Sequence, residues 1–181
     1  MDICLWDLKA KRAGLPLAKL LGAHRDGVAC YNTSGGFLSS SIDEVKAAID
    51  KSLESGIGGI KIKVGQPDPM EDLRRLDAVT AHLNGRVPLM VDANQQWDRV
   101  TALRFGRLVE PLNLEWIEEP LDAYDAEGHA LLARELATPI ATGEMLASAD
   151  EHMALIRADA VDFIQPDAPR VGGITQFLKI C

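Results

Sequence analysis

The sequence predicts a parallel α/β fold made of repeated strand-helix units, and three observations predict it. Short apolar runs recur along the chain and each carries charge at or near its end: 59–64 with Lys61 and Lys63, 88–92 ending in Asp92, 114–118 ending in Glu118, 139–144 ending in Glu144, and 161–167 ending in Asp167. From Lys63 to Asp167 these charged residues step by 29, 26, 26 and 23 positions, which leaves room for a helix and two loops in each interval. Between the runs the apolar residues change to helical spacing. The C-terminal ends of parallel strands share one face of a barrel, so side chains far apart in sequence would converge there.

In chain order, 2–21 reads as two short helices around a break at Gly14 and Pro16. The run 28–33 is expected to be the first strand, turning at Thr33-Ser34-Gly35-Gly36. Ser41 with Glu44 makes a capping-box pair, and Val45, Ala48, Ile49 and Leu53 recur at helical spacing up to Gly56. Further helices are expected over 69–83 before Asn84-Gly85, 99–109 before Pro111, 126–136, and 149–156. Six strands result, near 28–33, 59–64, 87–92, 114–118, 139–143 and 161–165. A closed barrel of this kind needs eight. The expected fold is therefore an incomplete TIM-type (β/α) barrel with about six of its eight strand-helix units.

Composition narrows the function classes. The chain has 181 residues, 47% hydrophobic and 25% charged, an ordinary globular profile that can bury a sizeable core. The net charge of −8, with no Lys/Arg cluster, argues against a nucleic-acid partner, since phosphate neutralisation needs a basic face. Cys4, Cys30 and Cys181 form neither a CxxC pair nor a zinc spacing. No apolar run approaches the roughly 18 residues of a membrane span, and Asp2 and Asp7 stand where a signal peptide would be basic. A cytoplasmic setting, away from membranes, is the expectation.

A lone acidic residue at a strand end is ordinarily a helix cap or a solvated charge. Three at matching strand ends, Asp92, Glu118 and Glu144, make a set of hard oxygen donors that suits magnesium. Lys61 and Lys63 lie two apart on one strand and so leave the same face of the pleat, between the apolar Ile60, Ile62 and Val64. Two neighbouring ammonium groups are expected to lower at least one lysine pKa, into the range of a base. Asn94, Gln95 and Gln96 after Asp92, and Glu119 after Glu118, are candidates to touch substrate or support the donors. His24, His82, His129 and His152 fall in helices or connections and are expected to be surface or packing residues.

Taken together, Ile60-Lys61-Ile62-Lys63, Val91-Asp92-Ala93-Asn94, Ile117-Glu118-Glu119-Pro120, Gly143-Glu144-Met145, and Asp167 with Gly172-Gly173 resemble the mandelate racemase subgroup of the enolase superfamily. The resemblance runs over nearly the whole chain. Within the subgroup, 31–41, 64–69, 92–99, 120–129 and 163–174 look most like the dehydratases of the sugar diacids galactarate and L-talarate.

The resemblance implies Mg2+ held by Asp92, Glu118 and Glu144, and dehydration through an enediolate after α-proton abstraction. Lys63 would be one acid/base, tuned by Lys61, and Asp167 would orient a histidine at the end of a seventh strand. That histidine and the eighth-strand acid would fall beyond Cys181. Residues 1–26 resemble a remnant segment joining a capping domain to the barrel, with 27–181 a partial catalytic barrel. Little or no activity is expected of such a chain alone, and a homo-oligomer of full-length members. Two other readings stay open: a racemase or epimerase of a hydroxy acid on the same scaffold, since an enediolate can be reprotonated on either face, and a non-catalytic partial-barrel remnant.

Overall fold

The computed structural model describes residues 1–181. Helices α1 (Asp2–Ala13) and α2 (Leu17–Leu20) come first, followed by α3 (Ile42–Glu54). Strands and helices then alternate: β1 (Ile60–Lys63), α4 (Pro69–Leu83), β2 (Leu89–Asp92), α5 (Arg99–Val109), β3 (Ile117–Glu118), α6 (Ala126–Glu135), β4 (Ile140–Thr142), α7 (Ala149–Arg157), β5 (Phe163–Ile164) and α8 (Ile174–Ile180). A single 3-10 turn, Glu110–Leu112, closes α5 where Pro111 denies the helix an N–H donor.

Local chemistry sets the helix ends. Gly14 takes the left-handed conformation at φ 66° and returns its N–H to the last carbonyls of α1. Ser41 and Glu44 form the expected capping box on α3, and a second box, Ser148 with Glu151, starts α7. Asp68, Asp98 and Asp125 accept from backbone N–H groups at the starts of α4, α5 and α6.

The five strands are all parallel and lie in sequential order, β1 to β5. The expected strand at 28–33 is a correction: it makes one parallel bridge, Asn32 to Ile60, rather than a ladder. Its hydrogen bonds, Asn32 N–H to Gly59 and Lys61 N–H to Asn32, still lay it along β1 where a first strand would run. The segment is too short of regular pairing to count as more, because Thr33 to Gly36 turns the backbone away at once.

Strand alternation divides the side chains between two layers. Ile60, Ile62, Val64, Leu89, Val91, Ile117 and Ile140 join Val45, Ile49, Leu76, Val79, Phe105 and Leu132 of the helices in one core of 20 buried residues. The opposite face carries Lys61, Met90, Trp116 and Ala141, with Met90, Trp116 and Ala141 packed as a small inner cluster. The five-strand sheet, covered by helices on its outer face, is an incomplete (β/α) barrel. Its inner face leads to the strand C-termini.

Candidate active site at the strand ends

Register brings the charges together. Lys63 pairs across the sheet with Asp92, and Asp92 with Glu118, so three of the marked residues form one row at the ends of β1, β2 and β3. Lys61 Nζ lies 2.5 Å from Glu118 Oε1 and 3.1 Å from Asp92 Oδ2. Lys63 Nζ lies 2.5 Å from the same Asp92 oxygen. Asp92, Glu118 and Lys61 are almost wholly buried, whereas Lys63 keeps 27% of its side chain exposed.

The expected lowering of a lysine pKa is corrected at Lys61. Burial alone would push it down, but the Glu118 hydrogen bond and the charges of Asp92 and Glu118 more than offset this and hold it above the ordinary lysine value. Spacing along one strand showed the like charges; it could not show the carboxylates facing them from neighbouring strands.

The other oxygens are also engaged. Asp92 Oδ1 accepts from the Asn94 N–H at 2.9 Å. Glu118 Oε2 accepts from Trp116 Nε1 at 3.1 Å and Gln165 Nε2 at 3.0 Å. Trp116 stands edge-on to Tyr31 and tilted against Phe163, with ring centroids 5.3 and 5.2 Å away. The Lys61 ammonium lies 5.6 Å from the Tyr31 ring centre. Trp116 and Gln165 were not among the sequence candidates, although Trp116 sits two residues before Glu118 and so on its face of the strand, and Gln165 directly follows β5.

Glu144 lies past β4. Gly143, at φ 134°, breaks the strand alternation just before it, and a Cβ there would come within 3.2 Å of the Gln165 backbone. The Glu144 charge reaches Tyr31 and Glu119, whose pKa values it raises after burial has done so first. Glu119 is buried and pushed up to about 7; its carboxylate faces Gln95 Nε2 at 3.3 Å. Asn94, Gln95 and Glu119 all adopt positive φ, an uncommon concentration of strained non-glycine backbone around one site. Asn94 has an exposed side chain. Asp167 stands at the same end of the sheet, past β5, where its Oδ1 accepts from the Arg170 N–H; it touches none of the lysines or carboxylates above.

No three His, Cys, Asp or Glu side chains are gathered closely enough to chelate an ion in this arrangement. Asp92 and Glu118 instead bracket a cation of the protein's own, the Lys61 ammonium. The histidines are packing or surface residues: His129 and His152 are fully buried and bonded to backbone carbonyls, and His82 pairs with Asp50.

A parallel sheet with inward lysines and acids at its strand ends defines a class, and residues 44–181 match the family model described as enolase C-terminal domain-like. The chain belongs to that family. It is 69% identical over 99% of its length to the L-talarate/galactarate dehydratase of Salmonella typhimurium, covering 45% of that protein. The solved structure of that enzyme superposes with a TM-score of 0.96 over 98% of this chain and 45% of the other. A Polaromonas L-talarate dehydratase complexed with Mg and L-glucarate is 67% identical, with a TM-score of 0.95 over 98% of this chain and 50% of that one. A 3,6-anhydro-alpha-L-galactonate cycloisomerase of Streptomyces coelicolor is 40% identical over 99% of this chain and 50% of its own length. The chain thus spans about half the length of the curated relatives it matches. No helix is long and apolar enough to cross a membrane.

Proposed function

We propose that the chain carries the lysine and carboxylate side of a magnesium-dependent dehydratase site for a sugar diacid, galactarate or L-talarate. The observation that supports this most is the buried row of Lys61, Lys63, Asp92 and Glu118 at adjoining strand ends. Likeness to dehydratases at 67–69% identity, one solved with Mg and L-glucarate, narrows the substrate class. In this reading residues 1–26 are a remnant of the segment joining a capping domain to the barrel, and 27–181 are a partial catalytic barrel.

The donors are of the type magnesium takes, although in this arrangement they are not gathered around one point. Asp92, Glu118 and Glu144 offer hard carboxylate oxygens from successive strand ends, and two of them already bracket an ammonium. Bound there by these three residues, magnesium would neutralise the negative charge that a substrate carboxylate gains as its α-carbon loses a proton. Lys63, the more exposed lysine, is the base: it releases the Asp92 oxygen, gives its proton to solvent and, as the neutral amine, takes the α-proton from one face. The β-hydroxyl then leaves as water with a proton supplied by the acid/base of the opposite face, and the enol left behind becomes the keto-deoxy acid. Lys61 fixes the relative placement of Asp92 and Glu118, Asn94 and Glu119 border the substrate, and Asp167 orients the acid/base of the opposite face.

Lys63 can run one half-reaction by itself, exchange of the α-proton with solvent. Incubation with galactarate or L-talarate and Mg2+ in D2O should incorporate deuterium at the α-carbon, followed by NMR, and Lys63→Ala should abolish it. Equal exchange in Lys63→Ala, or none in the parent chain at saturating magnesium, would count against the assignment.

A further inference from the structure

Lys63 is the last residue of β1, and its backbone polar groups face away from β2. The Ile60 and Val64 N–H groups reach the Pro88 and Asp92 carbonyls, so the alternate residues Lys61 and Lys63 turn theirs to the 28–36 side. There the Asn32 carbonyl takes the Lys61 N–H and, past the turn, the Gly36 carbonyl takes the Lys63 N–H at 2.7 Å. A fully paired strand would also offer an N–H to the Lys63 carbonyl. Because the segment has turned away, Arg75 of α4 fills that place: its Nη1 donates to the Lys63 carbonyl at 3.3 Å, and its Nη2 to the Phe37 carbonyl at 2.8 Å. Gln66 Nε2 holds the next carbonyl, that of Leu38, at 2.9 Å. Three consecutive carbonyls of the 36–38 loop are thus fastened to the end of β1. Arg75 is almost wholly buried, and its charge is compensated by Asp72, one turn back on α4, with Oδ1 at 3.8 Å. Asp72 is fixed in turn, since its Oδ2 accepts from the Gly65 and Gln66 N–H groups at 2.7 and 2.8 Å.

We infer that Arg75 is a positioning residue for Lys63: by clamping the Lys63 carbonyl to the 36–38 loop, it fixes the backbone from which the lysine side chain reaches into the site. With that carbonyl released, the end of the strand can rotate, and a small rotation at the Lys63 Cα is carried along a flexible four-carbon stem to the ammonium. Misplacing a reacting group by about 1 Å can cost about 100-fold in rate. The guanidinium suits the task because its planar fork reaches carbonyls on two separate segments at once, which a single ammonium does not reproduce. Arg75 acts only through Lys63.

The inference rests on the reading of Lys63 as the base, and two measurements on the full chain separate them. The first is α-proton exchange of galactarate with Mg2+ in D2O across a range of substrate concentrations. Arg75→Met keeps an apolar stem and deletes the donors, Arg75→Lys restores one donor group, and Arg74→Met alters an exposed neighbour as the control. Arg75→Met should slow exchange at saturating substrate by up to about 100-fold without moving the half-saturating concentration. Arg75→Lys should recover part of the rate, and Arg74→Met should match the parent chain. The second is trace acetylation resolved by peptide mass spectrometry, which reads the Lys63 amine without substrate. In Arg75→Met its labelling should rise relative to the exposed Lys51 and Lys179. Either measure unaltered in Arg75→Met, or a change in half-saturation alone, overturns the inference and leaves Lys63 as the base. No exchange in the parent chain overturns the base reading, and the labelling then decides by itself whether Arg75 places the Lys63 amine. Where Arg75→Met does not unfold cooperatively in urea, Arg75→Lys is read in its place, with a smaller loss of rate and a smaller rise in labelling expected.

Discussion

Lys61 is enclosed with two carboxylates and almost wholly buried with them. Removing one partner of a buried ion group leaves uncompensated charge, which costs about 3–5 kcal/mol. Lys61→Met should therefore destabilise the chain by that order in urea unfolding at neutral pH. An unaltered midpoint would mean that Asp92 and Glu118 are hydrated after all. His129 gives a second residue-level test. Burial holds its pKa below the ordinary 6.5, while Asp125 and Asp122 pull the other way. A depressed folded value means that the unfolded chain binds more protons, so this stability is full above about pH 6.5 and is lost as pH falls through the folded value. His129→Gln should flatten the pH dependence of unfolding below 6.5, and an equally steep variant would assign that dependence elsewhere.

Among the elements, α7 carries the second capping box. Ser148 accepts from the Glu151 N–H at 3.2 Å while Glu151 accepts from the Ser148 N–H at 3.0 Å. Ser148→Ala should cost about 1 kcal/mol, measured by denaturant titration, because the Glu151 N–H at the helix start loses its acceptor. The same Ser-x-x-Glu pattern was legible at Ser41 and was equally present at Ser148. Helix positions were readable because caps, glycines and apolar spacing act within a few residues. The run at 28–33 was less so: its composition fits a strand, but whether it pairs for one residue or five depends on how soon the chain turns at Gly35 and Gly36, and Gly36 lies so close to β1 that a Cβ would fall within 2.8 Å of the Ile62 backbone.

On the scale of the whole molecule, the N-terminal helix is fastened to the last one. Asp2 Oδ1 accepts from the Thr175 N–H at 3.1 Å, and Trp6 Nε1 donates to Thr175 Oγ1 at 2.9 Å. Helix α8 has no side-chain cap of its own, since Gly173 stands at its start. Asp2→Ala should raise hydrogen-exchange rates in α8 selectively, leaving the amides of β2 and β3 protected; uniform acceleration would show that the contact supports the fold generally. The sequence by itself determined the alternation of strand and helix, the parallel sheet that alternation demands, and the face shared by Lys61 and Lys63, because side-chain period and helix capping are local properties of the chain. Only the tertiary structure decided that Lys61 lies between Asp92 and Glu118, that its pKa rises rather than falls, and that Trp116 and Gln165 hold the far oxygen of Glu118. All but the Trp116 contact depend on distances between strands 26 or more residues apart, which register and burial fix and spacing alone does not.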